Sequence, residues 1–171
     1  MNGIAGAIGW MALNRPYLSD YDHCGQFELH ASGNGIVKRA NSLLSQGTES
    51  NYLVEGNIST GDVFSAYKRA DPVAEHVIEE CIEYWGMAVA NLVSIFNPEI
   101  IVFGGGVFGP AVQFLDRIFE NAMKWAQPIS IRQVKLKAST LKGRAGLLGA
   151  GYTALAGISS VHDGLRKKNI Q

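Results

Sequence analysis

Hydrophobic positions along this chain follow two different periods, and the changes of period mark out its elements. From Gly35 to Leu44, the apolar residues Ile36, Val37, Ala40, Leu43 and Leu44 fall on one helical face, and Gly47 supplies a stop. Ser59 followed three residues later by Asp62 forms a capping box with a shorter acid, opening a short helix that carries Val63, Phe64 and Tyr67. Asp71-Pro72 starts a long helix, with Asp71 as N-cap and Pro72 as first helical residue. Val73, Val77, Cys81, Trp85, Ala88, Leu92 and Phe96 keep one stripe along it, and Glu75, Glu79, Glu80 and Glu83 crowd its first half, where the helix dipole favours them. Asn97-Pro98 ends this helix.

The period then changes. Ile100-Ile101-Val102-Phe103 is an unbroken apolar run, which predicts a strand buried on both faces inside a parallel sheet. After it, Val112, Leu115, Ile118, Phe119, Ala122 and Ala126 read as another helix, stopped by Pro128. Val134 to Ala138 alternates apolar and polar residues, as a half-exposed strand near a sheet edge does. A final helix is expected from about Ala145 to Ala156. Its Gly146, Gly149 and Gly151 each cost about 1 kcal/mol against alanine, which predicts a backbone packed closely there. Residues 1–33 read as close-packed loop, with Gly3, Gly6 and Gly9 at every third position. The order is two α/β units side by side.

Between the first strand and its following helix stand Gly104, Gly105 and Gly106. In open α/β sheets, ligands bind beyond the carboxyl ends of the strands, and residues without Cβ let a flat ligand or a phosphate lie against the backbone. The stretch therefore reads as a nucleotide shelf. A tight turn with positive φ explains one or two of these glycines more readily than all three. Gly104, Gly106 and Gly109 also satisfy G-x-G-x-x-G, but that fingerprint asks for an acid at the end of the next strand. The next strand ends at Ala138-Ser139-Thr140 without one, so the match is accidental.

Composition narrows the class. The chain has 171 residues, 47% of them hydrophobic and 18% charged, as expected of one soluble globular domain. Lys plus Arg equals Asp plus Glu, so nothing favours nucleic acid or an acidic membrane surface as partner. The cluster Arg166-Lys167-Lys168 is assigned to a polar tail over residues 158–171. Cys24 and Cys81 do not make a disulfide framework and are expected to be free, with Cys81 buried on the long helix. No signal-peptide pattern and no run of about 18 apolar residues is present, so a cytoplasmic location is expected.

Three stretches together resemble one family. Asn91-Leu92-Val93-Ser94-Ile95-Phe96-Asn97-Pro98-Glu99 running on through Gly104-Gly105-Gly106-Val107 resembles the adenosine segment of ROK-family sugar kinases and repressors. Ala145-Gly146-Leu147-Leu148-Gly149-Ala150 resembles the start of their last helix. Asn2-Gly3-Ile4-Ala5-Gly6-Ala7-Ile8-Gly9-Trp10, with Cys24-Gly25 and Glu28-Leu29-His30-Ala31-Ser32-Gly33, resembles their sugar-site segment. Residues 1–157 are covered in the family's own order. The resemblance implies the C-terminal domain of a ribonuclease H-like, actin/sugar-kinase type α/β fold, a mixed sheet with flanking helices. It implies ATP with Mg2+ as cofactor, Gly104, Gly105 and Gly106 behind the adenosine, and Glu28, Asn2 and Gly3 at a hexose. A carboxylate suits that role because it accepts two hydroxyl hydrogen bonds at once. Read from the residues alone, Glu28 fits a surface acid at the start of a helix better than a sugar ligand.

Two departures from the family pattern stand out. Where the family shows Ala-Gly-Glu-Ile-Gly-His, this chain has Ala5-Gly6-Ala7-Ile8-Gly9-Trp10, so Ala7 and Trp10 replace two sugar-reaching residues. Trp10 is expected to stack on a sugar or to sit in the core. The family's cysteine-rich zinc loop is shortened to Asp22-His23-Cys24-Gly25-Gln26-Phe27-Glu28, which makes zinc an unexpected ligand.

Phosphoryl transfer needs a base and a cradle for the β- and γ-phosphates. In ROK kinases both lie upstream of the segment matched here, and Asp20, Asp22, Asp62, Asp71, Asp116 and Asp163 stand in no phosphate-turn context. The expectation is therefore the second half of a sugar kinase, with no catalytic residue in this chain, inactive alone, and a homo-oligomer or the partner of a missing N-terminal half. A non-catalytic sugar sensor or repressor fragment, and a purely structural interaction module, are the alternatives.

Overall fold

The computed structural model describes residues 6–141 and 143–168, with side chains through residue 156. Six α-helices and two strands follow in order: α1 Gln26–Ala31, α2 Gly33–Ser45, α3 Thr60–Tyr67, α4 Pro72–Phe96, β1 Ile100–Phe103, α5 Leu115–Trp125, β2 Lys135–Ala138 and α6 Ala145–Lys168. Short 3-10 turns lie at Ile8–Trp10, Ser19–His23, Ala111–Phe114 and Ser130–Arg132.

The long helix α4 is the spine of the core. Its Val73, Val77, Ile78, Ile82, Val89 and Val93 are buried, and they meet Ile36, Ala40 and Leu43 of α2, Val63 and Phe64 of α3, and Ile118 and Ala122 of α5 in one hydrophobic cluster. Burying side chains of this size is worth roughly 1.5–3 kcal/mol each, which is why the helices settle on α4. The capping box of α3 forms as its sequence predicts: the Ser59 amide donates to Asp62 Oδ2 at 2.9 Å and the Asp62 amide donates to Ser59 Oγ at 3.2 Å.

Four expectations are corrected. First, β1 is covered on one face only: Ile100 and Val102 are 46% and 63% exposed, while Ile101 and Phe103 pack against the core. Among the described residues the sheet has two strands, β1 and β2, so helices reach a single face. Second, that ladder is parallel throughout, pairing Ile100 with Lys135 and Phe103 with Ala138, and a mixed sheet is not formed by the described residues. Third, the stretch read as loop contains α1, whose six residues are too few to show a helical period. Fourth, α6 continues through Lys168 into the segment assigned to a tail, and a Cβ at Gly146, Gly149 or Gly151 would meet nothing within 4 Å. The close helix contact lies instead at Gly86 of α4, where a Cβ would stand 2.6 Å from Asn121 Cβ of α5.

The N-terminus of α4 depends on one carboxylate. Asp71 is fully buried, and both of its oxygens are occupied. Oδ1 accepts from the amides of Val73 and Ala74, each at 3.1 Å. Oδ2 accepts from Ser50 Oγ at 2.7 Å and from the amides of Asn51 at 2.8 Å and Tyr52 at 3.2 Å. Burial pushes this carboxyl upward, but the hydrogen bonds from Ser50 and from the backbone amides of Ala74, Asn51 and Tyr52 outweigh it and hold the group below the ordinary carboxylate range.

Replacing Asp71 with Ala leaves Ser50 and four amides without their acceptor, and a loss of about 3 kcal/mol in urea denaturation is expected. In an unfolded chain this carboxyl titrates near about 3.9, above its folded value. Its stabilisation is therefore complete above about pH 4 and fades as pH falls through the folded value. Denaturation midpoints measured from pH 6 downwards should show a smaller acid loss in Asp71→Asn than in the parent chain; equal losses would refute the assignment.

Candidate functional site

The sugar-segment residues are positioned by tight backbone contacts. Gly25 has φ +83°, and a Cβ there would stand 2.5 Å from Gly9 O and from Trp10 Cα. The Ile8–Trp10 turn therefore lies directly against the start of α1. Gln26, buried at the first position of α1, clamps the following chain: its Oε1 accepts from the amides of Leu13 at 2.5 Å and Asn14 at 2.8 Å, and its Nε2 donates to Asn14 O at 2.6 Å. Nothing in the hydrophobic pattern singles out Gln26; a polar residue directly after a glycine was the available signal.

The far end of α1 is fastened to α4. Trp85 Nε1 donates to Ala31 O at 3.1 Å, and Cys81 Sγ donates to His30 O at 3.5 Å. The His30 ring stacks on Tyr84 at 4.7 Å between centroids, with Nε2 3.1 Å from Tyr21 Oη. Burial lowers the His30 pKa, Glu80 opposes this, and Arg39 and Lys38 add to the lowering, so the imidazole is neutral near pH 7. Thr60 Oγ1, at the start of α3, donates to Gly33 O at 2.9 Å and ties α3 to the same region.

Between α1, the start of α2, α4 and β1 lies a cleft of about 430 Å³. Its lining includes Ile8, Glu28 and Gly33, Trp85 and Leu92 of α4, and Phe103 and Gly104 at the end of β1. The fold thus brings Glu28 and Gly104 into one cavity, although they are far apart in sequence. Gly105 and Gly106 continue the turn outside its lining. Asn2 and Gly3 lie outside the described residues. Trp10 is 58% exposed, which corrects the core reading of that residue.

Each of the three glycines has its own circumstances. Gly105 adopts φ +88°, where a side chain is strained. Gly104 faces Ser139, whose Cβ would be 3.3 Å from a new Cβ. Gly106 has neither constraint: its φ is ordinary and nothing lies within 4 Å of a Cβ there. Its open backbone is what a shelf for a flat ligand requires. The Glu28 carboxylate is exposed and takes part in no hydrogen bond or ion pair with the described residues, so both oxygens remain free to accept hydroxyl hydrogens. No aspartate lines the cleft. Among the described residues no three His, Cys, Asp or Glu side chains stand together to hold a metal ion. No helix of the described residues is long and apolar enough to cross a membrane.

The fold is of the actin- and sugar-kinase-like α/β class, as shown by its similarity to a ROK hexokinase from Thermus thermophilus, with a TM-score of 0.68 at 24% identity over 88% of this chain and 49% of that one. A ROK family glucokinase from Streptomyces griseus, solved with glucose and AMPPNP, superposes with a TM-score of 0.62 at 29% identity, covering 74% of this chain and 44% of the glucokinase. The ROK family profile matches residues 1–156, and the chain belongs to the ROK family. A glucokinase of Halalkalibacterium halodurans is 33% identical over 89% of this chain and 48% of its own length. A xylose repressor of Caldicellulosiruptor bescii is 31% identical over 86% of this chain and 38% of its own length. The chain therefore spans less than half of each of these curated relatives.

Both cysteines are free, Cys81 buried and Cys24 partly so, and burial first, then Glu80, pushes the Cys81 thiol well above its ordinary pKa. A thiol reagent at pH 8 should label Cys24 in the folded chain and Cys81 only after denaturation. Two equally fast thiols, or none in the denatured, unreduced chain, would contradict this packing.

Proposed function

We propose that this chain is the C-terminal half of an ATP-dependent ROK-type hexose kinase of the cytoplasm, carrying the adenosine-binding segment and part of the sugar site. The observation that carries the reading is the single cleft that Glu28 and Gly104 share. Gly104 in the cleft, with Gly105 and Gly106 continuing the turn beyond its lining, backs the adenosine, and Glu28 accepts hydrogen bonds from the hexose hydroxyls; Asn2 and Gly3 are assigned to the same sugar segment by the family resemblance. The residues fit a nucleotide because the backbone at Gly106 is open and free of strain. ATP would supply the transferable phosphoryl group; this chain's part is to seat the adenosine and orient the sugar. The Mg2+ implied with ATP has no assigned ligand among the described residues. Among the described residues, Glu28 is the carboxylate that lines the cleft.

Titration of the purified chain with AMPPNP is expected to show weak binding, about 1 mM or poorer and near −4 kcal/mol, because phosphate-binding loops do not contribute. Gly106→Val should abolish it with the melting temperature unchanged, whereas Gly105→Val would mix occlusion with backbone strain. Binding that survives Gly106→Val, or turnover of ATP and hexose by this chain alone, would refute the reading. The match to a xylose repressor supports a second reading, the sensing part of a sugar-responsive repressor. Hexose binding without any nucleotide binding would favour it.

We also propose that the chain is a homo-oligomer. Among the described residues β1 pairs only with β2, which leaves its other edge with free amides and carbonyls beside the exposed Ile100 and Val102. Light scattering at high concentration should report a dimer or larger; a monodisperse monomer would count against it.

A further inference from the structure

A second groove, of about 450 Å³, lies between residues 52–57 and α3 and shares no lining residue with the cleft. Arg69 stands at one end, its guanidinium 4.9 Å from the centroid of the Tyr52 ring. The backbone that carries this ring is anchored, because the Tyr52 amide donates to the buried Asp71 carboxylate at 3.2 Å. Behind Arg69 the chain reverses through Ala70, whose φ of +54° is a left-handed conformation that alanine adopts only under strain. Local strain of this kind is retained where the surroundings dictate it. No hydrogen bond or ion pair among the described residues uses the Arg69 side-chain N–H groups. A guanidinium held by stacking, with all its donors unspent, is prepared for a planar or tetrahedral oxyanion.

The other end of the groove is of opposite character. Asp62 Oδ2 is taken by the Ser59 amide at 2.9 Å and the Ser59 hydroxyl at 2.6 Å, which leaves Oδ1 to accept. The hydrogen bond from the Ser59 side chain, then that from its backbone, holds this carboxyl below the usual range, so it is ionised. Asn57 and Ser65 add polar groups, and Leu53, Val54 and Ala66 an apolar wall. Asp62 lies in the first turn of α3 and Arg69 in the turn that follows the helix, seven positions on and roughly 10 Å away. Inorganic phosphate is too short to reach both ends. An uncharged sugar would leave Arg69 unanswered.

We propose that this groove binds a sugar phosphate, with the phosphoryl group on Arg69, the ring against Val54 and Leu53, and hydroxyls at Asp62 and Asn57. The site does not depend on the kinase reading. Groove and cleft are linked through one hydrogen bond: α3 lines the groove with Asp62, Ser65 and Ala66, and its Thr60 donates to the carbonyl of the cleft residue Gly33.

The test is an amide and phosphorus NMR titration of the full chain with glucose 6-phosphate, inorganic phosphate and glucose in parallel. Glucose 6-phosphate is expected to bind at least about tenfold more tightly than either comparator and to shift the amides of residues 52–57 and α3. Arg69→Gln should weaken it by about tenfold, and Tyr52→Leu, which releases the guanidinium, by a smaller factor, both at unchanged melting temperature. Glu28→Gln and Gly106→Val should leave it unaltered. Equal binding of inorganic phosphate, no binding of the phosphosugar, or indifference to Arg69→Gln would overturn the proposal. Loss of binding in Glu28→Gln with retention in Arg69→Gln would also overturn it, while leaving the kinase reading intact.

Discussion

The buried carboxylate of Asp71 is the constraint on which most of the molecule hangs. One side chain caps the spine helix and simultaneously gathers the loop at residues 50–52 through a hydroxyl and two amides. An isolated charge in such a place would be prohibitive, and it is tolerable here because five donors replace its water. With the start of α4 anchored, α2 and α3 have a fixed surface to pack on, and the Tyr52 ring is carried to Arg69. The same residue thus governs the core and the shape of the groove beside it.

The cleft, by contrast, is made where elements end. Residues of α1, the first of α2, and the turn after β1 converge on the flank of α4, so the polar side chains Glu28 and Ser32 stand in a lining that is otherwise mostly apolar. Fastening is by a few long-range hydrogen bonds, Trp85 to Ala31, Cys81 to His30 and Thr60 to Gly33, rather than by a continuous ladder. Such an arrangement holds a free carboxylate and an exposed glycine backbone at the rim of one cavity without burying either.

Much of this was legible in the residues. The caps at Ser59 and Asp71, the glycine stop at Gly47 and the apolar run at Ile100–Phe103 act within a few positions of themselves, so their physics is local. What escaped was set by distant partners. Burial of β1 depends on which strands flank it, and the apolar run alone does not carry that information. The six residues of α1 are held by Gly25 against Gly9 and by Gln26 on Leu13 and Asn14, contacts that leave no period in the sequence. For the helical glycines the inference from cost to contact failed at Gly146, Gly149 and Gly151, and the contact it sought lies at Gly86. The pairing of Glu28 with Gly104 entered through family resemblance and not through periodicity.

The parallel pairing of β1 with β2 has a consequence for how the chain acquires its shape. Strands running the same way cannot be joined by a tight turn, so all of α5 must cross over before Ile100 meets Lys135. Helices α2 to α4 are built from local contacts and short connections, which form early, whereas a ladder closed across some thirty intervening residues must wait for the crossover to dock. Until then Ile100 and Val102 belong to an unpaired apolar segment in a chain whose helical core already exists. Refolding should accordingly pass through a period in which this strand is the most aggregation-prone part of the molecule.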